Sequence, residues 1–250
     1  MRYLIFILVF LISSFSVAQN EELFTKGNSL YNEGKFQEAI NTYESILETE
    51  NHSAELYFNI ANAYYKMNRV APSVYYYEKA LQLSPDDKDI KNNISFAQNM
   101  TIDAIEVIPE VGFSKITKSV INKYSFDDWA KLSIAFVILF VILFLTYYFS
   151  YSTNRKRFAF LSSILSFTFV LITIMFAFQK YELEQKDNPA IVFAQESEIK
   201  SEPNLRSEIA FKLHEGTKVQ VLEIYNENWT KIKLTDGKTG WIPSQDIKEL

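Results

Sequence analysis

Asparagine, rather than histidine or cysteine, is the polar residue that this chain repeats at a fixed spacing. Glu21, Phe24, Asn28 and Tyr31 recur 34 residues later as Glu55, Phe58, Asn62 and Tyr65. A carboxamide both donates and accepts hydrogen bonds, so paired asparagines suit the main chain of an extended peptide, while phenylalanine and tyrosine supply apolar contact. That is recognition chemistry. Groups for catalysis are sparse: His52 and His214 are the only imidazoles, cysteine is absent, and no HExxH, Walker loop or dinucleotide glycine pattern occurs. Both histidines read as surface or turn residues. The adjacent carboxylates Asp86-Asp87 and Asp127-Asp128 fall at expected helix starts, where the positive end of the helix dipole accounts for them. These residues predict a protein that is not an enzyme, with no metal ligands and no cofactor.

The elements that carry those residues are divided by two apolar runs, Leu132–Phe149 and Phe158–Phe178, with Arg155, Lys156 and Arg157 between them. At about 1.5 Å per helical residue, each run with its flanking aromatics suits a bilayer core of roughly 30 Å. This predicts spans over 129–151 and 158–178, a cytoplasmic basic turn over 152–157, and a linker over 179–188. Short Lys/Arg loops resist translocation, so both flanking parts belong on the far side. Trp129 marks one water–lipid boundary, and Tyr147, Tyr148 and Tyr151 mark the other. Met1-Arg2, the apolar Tyr3–Phe15 and the small Ser16-Val17-Ala18 form a signal-peptide pattern over 1–18, cleaved after Ala18 or retained as an anchor. The expected location is the cytoplasmic (inner) membrane, crossed twice, with both soluble parts in the periplasm. Hydroxyls are the only polar side chains inside the two apolar runs, which disfavours a transporter or channel. They either hydrogen-bond across the hairpin or back to their own helix. Net charge is −5, and residues 19–105 hold 13 acids against 7 Lys/Arg, so nucleic acid is not an expected partner.

The 34-residue offset extends well beyond those four positions. Gly27–Phe36 aligns with Ala61–Val70, Ala39 with Ser73, Tyr43 with Tyr77, Ile46 with Ala80 and Leu47 with Leu81, and the second copy closes at Pro85. This pattern resembles the tetratricopeptide repeat, with Ser73 for alanine and Asn68 for glycine as departures. Two repeats need a cover, and Ile90, Ile94 and Ala97 after Asp86-Asp87 predict a capping helix to about Met100, giving an all-α module over 19–102. The resemblance implies a concave groove lined by Phe24, Asn28, Tyr31, Phe58, Asn62, Tyr65, Asn93 and Phe96 as partner-binding residues. Packing between repeats is the other role open to these aromatics.

Residues 103–128 form a connector broken at Pro109 and Gly112. Phe113, Ile116, Val120 and Ile121 predict a short amphipathic helix, either at the lipid surface or in a solvated linker, and Ser125 caps the helix that follows. Beyond Asn188-Pro189 the period becomes two: 190–193, 219–222, 229–234 and 240–242 read as strands, with a tight turn at Asp236-Gly237. Leu213–Val219, Asn228–Ile232 and Asp236–Ile242 resemble a bacterial SH3-type domain over 189–250, a small all-β barrel. The resemblance points to Tyr225, Trp229 and Trp241 as a ligand face for peptide or cell-wall peptide, unless the tryptophans pack inward. Fold class is therefore a multidomain membrane protein: a tetratricopeptide superhelix, a two-helix transmembrane hairpin and an SH3-like barrel. That order of parts resembles component E of the Bacteroides aerotolerance (Bat) operon family. The likeness implies a scaffold that assembles in the lipid bilayer with other membrane proteins, including von Willebrand A-type partners, under envelope or oxidative stress. A cell-wall sensor is the rival expectation.

Overall fold

The computed structural model describes residues 19–105 and 112–250, so the signal-peptide segment 1–18 and Pro109 lie outside the described residues. Among the described residues, five helices come first: α1 (19–32), α2 (Phe36–Leu47), α3 (Ala54–Lys66), α4 (Val70–Leu83) and α5 (Lys88–Gln98). Gly34 has φ +79° and Asn68 has φ +54°, so both copies turn through the left-handed region after their first helix. Asparagine tolerates that region better than other side chains, which explains why Asn68 replaces glycine. Ser53 and Asp87 cap α3 and α5, accepting from Leu56 N and from Asp89 N and Ile90 N. At the small positions Ala39, Ala61 and Ala80 are fully buried, and a Cβ on Gly27 would fall within the Tyr43 ring. Ser73 is tolerated in the core because its hydroxyl donates to Ala61 O at 3.1 Å.

The C-terminal part is a seven-stranded antiparallel sheet: β1 (Pro189–Val192), β2 (Glu196–Lys200), β3 (Ile209–His214), β4 (Lys218–Tyr225), β5 (Trp229–Lys233), β6 (Thr239–Pro243) and β7 (Ile247–Glu249). Their order is β3-β2-β6-β5-β4-β1-β7. The four expected strands correspond to β1, β4, β5 and β6; β2, β3 and β7 were not anticipated. Ile199, Thr230, Ile232 and Ile242 fill the inner face. The helical repeats and this sheet form one compact unit, and the segment between them forms a second.

Within the second unit lie α6 (Phe113–Ile121), α7 (Phe126–Phe149) and α8 (Thr153–Lys186). Ser125 caps α7 by accepting from Asp128 N. The helices α7 and α8 are long and apolar enough to cross a membrane. Their apolar side chains face outward, as with Ile138 at 56% and Leu161 at 66% exposure, unlike helices buried in a soluble core. Two expectations are corrected. The expected linker 179–188 is helical as far as Lys186, because Gln179–Lys186 are good helix formers carrying i,i+4 pairs between Lys180 and Glu184 and between Glu182 and Lys186. Arg155, Lys156 and Arg157 sit in the opening turns of α8, and the bend itself is Ser150–Ser152.

Ala159, Ser163, Ser166, Val170, Thr173 and Ala177 form the buried seam of α8, recurring every three or four residues. Small side chains allow close backbone approach where lipid supplies no hydrophobic drive. Ser166 Oγ donates across the hairpin to Phe136 O at 2.9 Å, whereas Thr146, Ser163, Thr168 and Thr173 bond to their own helices. Trp129 is buried at the rim, its ring edge-on to Phe176 and its Nε1–H donating to Ile121 O.

Candidate peptide groove and the joined modules

The helices α1, α3 and α5 bring the repeated asparagines together. Tyr43 Oη donates to Asn28 Oδ1 at 2.6 Å, and Asn59 Nδ2 donates to the same oxygen at 3.0 Å. One repeat later, Tyr77 Oη donates to Asn62 Oδ1 at 2.6 Å and Asn93 Nδ2 donates to it at 3.1 Å. Burial pushes the Tyr43 phenol up to about 12, with smaller contributions from Tyr31 and Glu55, and it raises Tyr77 further. Both hydroxyls therefore stay protonated and keep donating.

This ladder corrects the reading of Asn28 and Asn62 as free donors and acceptors. Each carbonyl oxygen already receives two hydrogen bonds, its full complement, so the amide NH2 is the half left to meet a ligand. Asn59 is the member of the ladder not anticipated; its 34-residue match to Asn93 was the available signal. A cleft of about 300 Å³ opens beside Asn28, lined also by Tyr31, Asn32, Tyr43 and Asn59. Phe24 and Phe58 are half-buried, each with its ring 5.9 Å from the tyrosine of its own repeat, Tyr43 and Tyr77. Their main role is packing. Tyr31 lies edge-on to Phe36, Tyr65 packs at the edge of the second-repeat core, and Phe96 is 56% exposed.

On the sheet, register gathers the three expected aromatics on one face. Tyr225 pairs with Trp229 and Trp229 with Pro243; in the next row Glu223, Lys231, Trp241 and Lys200 pair successively. Side chains directly opposite one another share a face. Trp241 is nevertheless only 9% exposed, because Tyr225 lies edge-on to it at 6.1 Å and Lys231 Nζ sits 5.6 Å from its ring centre. The accessible rim is Tyr225 with part of Trp229.

Sequence reasoning missed the seam that joins repeats and sheet. Asp103 accepts three hydrogen bonds from one turn: from His214 N at 2.6 Å, Thr217 Oγ1 at 2.7 Å and His214 Nδ1 at 2.8 Å. Burial would raise this carboxyl, but the hydrogen bonds from His214 and Thr217 outweigh it and hold the group below its ordinary 3.8. His214 is thus a turn residue that also bonds across the seam rather than lying free at the surface. Lys218 Nζ meets Glu78 Oε2 at 2.7 Å, and Lys248 Nζ lies 4.5 Å from the Tyr75 ring centre. Ile191 of β1 is fully buried in the same core as Tyr77, Ile90 and Ile94, while Ile105 packs against the sheet core. Gly216 is required by close approach: a Cβ there would lie 2.7 Å from Val70 Cγ1 and 2.9 Å from Thr101 Cγ2. The sheet docks on α4 and on the chain leaving α5, while the asparagine ladder spans α1, α3 and α5.

Known families agree with both soluble parts. The family described as Bacterial SH3 domain matches residues 198–248, Tetratricopeptide repeat matches 54–87, and TPR repeat matches 27–68. The chain thus contains tetratricopeptide repeats and a bacterial SH3 domain, module types that typically bind rather than catalyse. Among curated proteins it is similar to Protein O-mannosyl-transferase TMTC1 of Homo sapiens, 30% identical over 76 residues, which is 30% of this chain and 9% of that protein. The Mus musculus counterpart is likewise 30% identical over 76 residues, 8% of its length. The chain spans less than a tenth of these relatives, and the likeness is confined to the repeats.

Proposed function

We propose that this protein is a non-enzymatic, membrane-anchored adaptor whose repeat groove captures an extended segment of a partner protein. The observation that carries this is the asparagine ladder: two carboxamides, one repeat apart, have their oxygens committed and their NH2 groups left to donate to peptide carbonyls. Adjacent helices stand about 8–10 Å apart, so the two donors match carbonyls about three residues apart on an extended chain. The bacterial SH3 domain docks away from that ladder and leaves it accessible. Asn28→Asp with Asn62→Asp tests the reading, because aspartate keeps the oxygen that accepts from tyrosine and asparagine and replaces the NH2 donor with a charged acceptor. Photo-crosslinkers placed at Phe96 in native membranes should capture a defined partner in the wild type and lose it in the double variant, with an unchanged melting temperature. Equal capture by both would remove the groove.

A two-pass arrangement in the cytoplasmic membrane is supported by the same joined body. Because repeats and SH3 domain pack on one another, this reading puts the chain entering α7 and the chain leaving α8 in one compartment. Arg155, Lys156 and Arg157, in the first turns of α8 beside the bend, favour the periplasm for that shared side. Reporters fused at both ends should give the same answer. The order of parts, resembling component E of the Bacteroides aerotolerance operon family, supports partners among von Willebrand A-type membrane proteins in a stress complex. A second reading, cell-wall sensing, is favoured by the shared face of Tyr225, Trp229 and Lys231. Retention of the full chain on peptidoglycan, abolished by Tyr225→Ala with Trp229→Ala, would select it.

A further inference from the structure

We propose that the SH3 domain is the closing cap of the repeat superhelix, and that its seating on Asp103 regulates the groove by holding α5 in place. The functional half of this statement rests on the groove reading above; the mechanical half does not. Helix α5 has two engaged faces. Asn93 reaches the groove and donates to Asn62 Oδ1, while Ile90, Ile94 and Ala97 turn into the core. Two repeats and one covering helix leave the end of that core short of apolar cover. Ile191 of β1 completes it, flanked by Phe193 and Leu250 from the same domain.

The chain leaving α5 is then gripped from three sides. Thr101 lies against Gly216, Asp103 accepts three hydrogen bonds from the 214–217 turn, and Ile105 packs against the sheet core. Two residues beyond Gly216, Lys218 pairs with Glu78 of α4. One short turn and the residue after it thus hold α4 and the chain leaving α5, the helix that carries the last groove rung. Releasing it frees the exit of α5 and uncovers the core beneath, so the Asn93–Asn62 rung loosens. Coupling of this kind is reciprocal: a segment bound along α5 tightens the seating of the SH3 domain, and an event that unseats the domain weakens the groove.

Hydrogen–deuterium exchange on the full chain in nanodiscs tests this without knowledge of any ligand. Asp103→Asn keeps the shape and removes the charge that draws the three donors. Exchange at the amides of 88–98 and 214–217 should rise together by about tenfold or more, while 19–32 stays within about twofold of wild type. Glu78→Lys and Lys218→Glu should each raise exchange in α5, and combining them should restore protection. A loosened 214–217 turn beside a fully protected α5 overturns the proposal, as does a charge-reversed pair no better protected than its single variants. Should Asp103→Asn loosen the whole unit evenly, the ion-pair variants decide by the same readout. Loss of coupling leaves partner capture by the asparagine ladder untouched, and loss of capture in the Asn→Asp pair leaves the exchange result standing, so the two failures are distinguishable.

Discussion

Ile191→Ala is the sharpest test that repeats and sheet share one core. The side chain is 0% exposed and belongs to the cluster of Tyr75, Tyr77, Ile90, Ile94 and Ala97. Truncation removes three carbons from a site walled by both modules, so neither can collapse into the cavity alone. Buried Ile→Ala changes cost about 2–5 kcal/mol, and a value of about 3 kcal/mol suits a site so enclosed. For a cooperative body of about 150 residues, each kcal/mol moves the melting temperature by about 2–4 °C, giving a fall of about 6–12 °C. The assay needs two probes. Far-UV circular dichroism follows the helices, and tryptophan emission in a Trp129→Phe background follows the sheet through Trp229 and Trp241. Both midpoints should fall together. A drop in the tryptophan midpoint with the helical midpoint unmoved would refute the shared core and make Ile191 a residue of the sheet alone.

Acid should weaken the joined body through Asp103. Its carboxyl is held below the ordinary 3.8, so it contributes stability above that pH, and the contribution is lost as pH falls through 3.8 and below. The melting temperature of wild type should fall more steeply than that of Asp103→Asn over that range, and parallel curves would deny the group its role. In the hairpin, Ser166→Ala should cost about 0.6 kcal/mol in reversible unfolding from bilayers, because its hydroxyl crosses to Phe136 O. Thr168→Ala, whose hydroxyl bonds within its own helix, should cost less; equal losses would contradict the assignment.

The parts readable from the sequence were those written in local periods. A 34-residue repeat, two uncharged runs of membrane length and alternating strands around Asp236-Gly237 each report the environment of a face, so the repeat helices, two long apolar helices and four strands were legible. Strand β2 was not, because Glu196–Lys200 carries three charges and a single apolar residue; β3 does alternate through Ile209, Phe211 and Leu213, but that signal was passed over beside the loop 201–207. β7, at three residues, is too short for any period. The repeated asparagines were legible by type and spacing, but the direction of their hydrogen bonds was not. Whether Asn28 offers its oxygen or its NH2 depends on where Tyr43 and Asn59 fall in space.

The chain alone determined the modules, their order and the residue types that recur in them, because secondary structure and insertion into lipid answer to neighbours a few residues away. Tertiary structure decided that the modules are joined. Asp103 and His214 stand 111 positions apart, and a carboxylate or an imidazole carries no mark of its partner until folding brings the two within 2.8 Å. The same folding buried Ile191 among the helices of the repeat module, and left Asn28 and Asn62 with only their NH2 groups uncommitted.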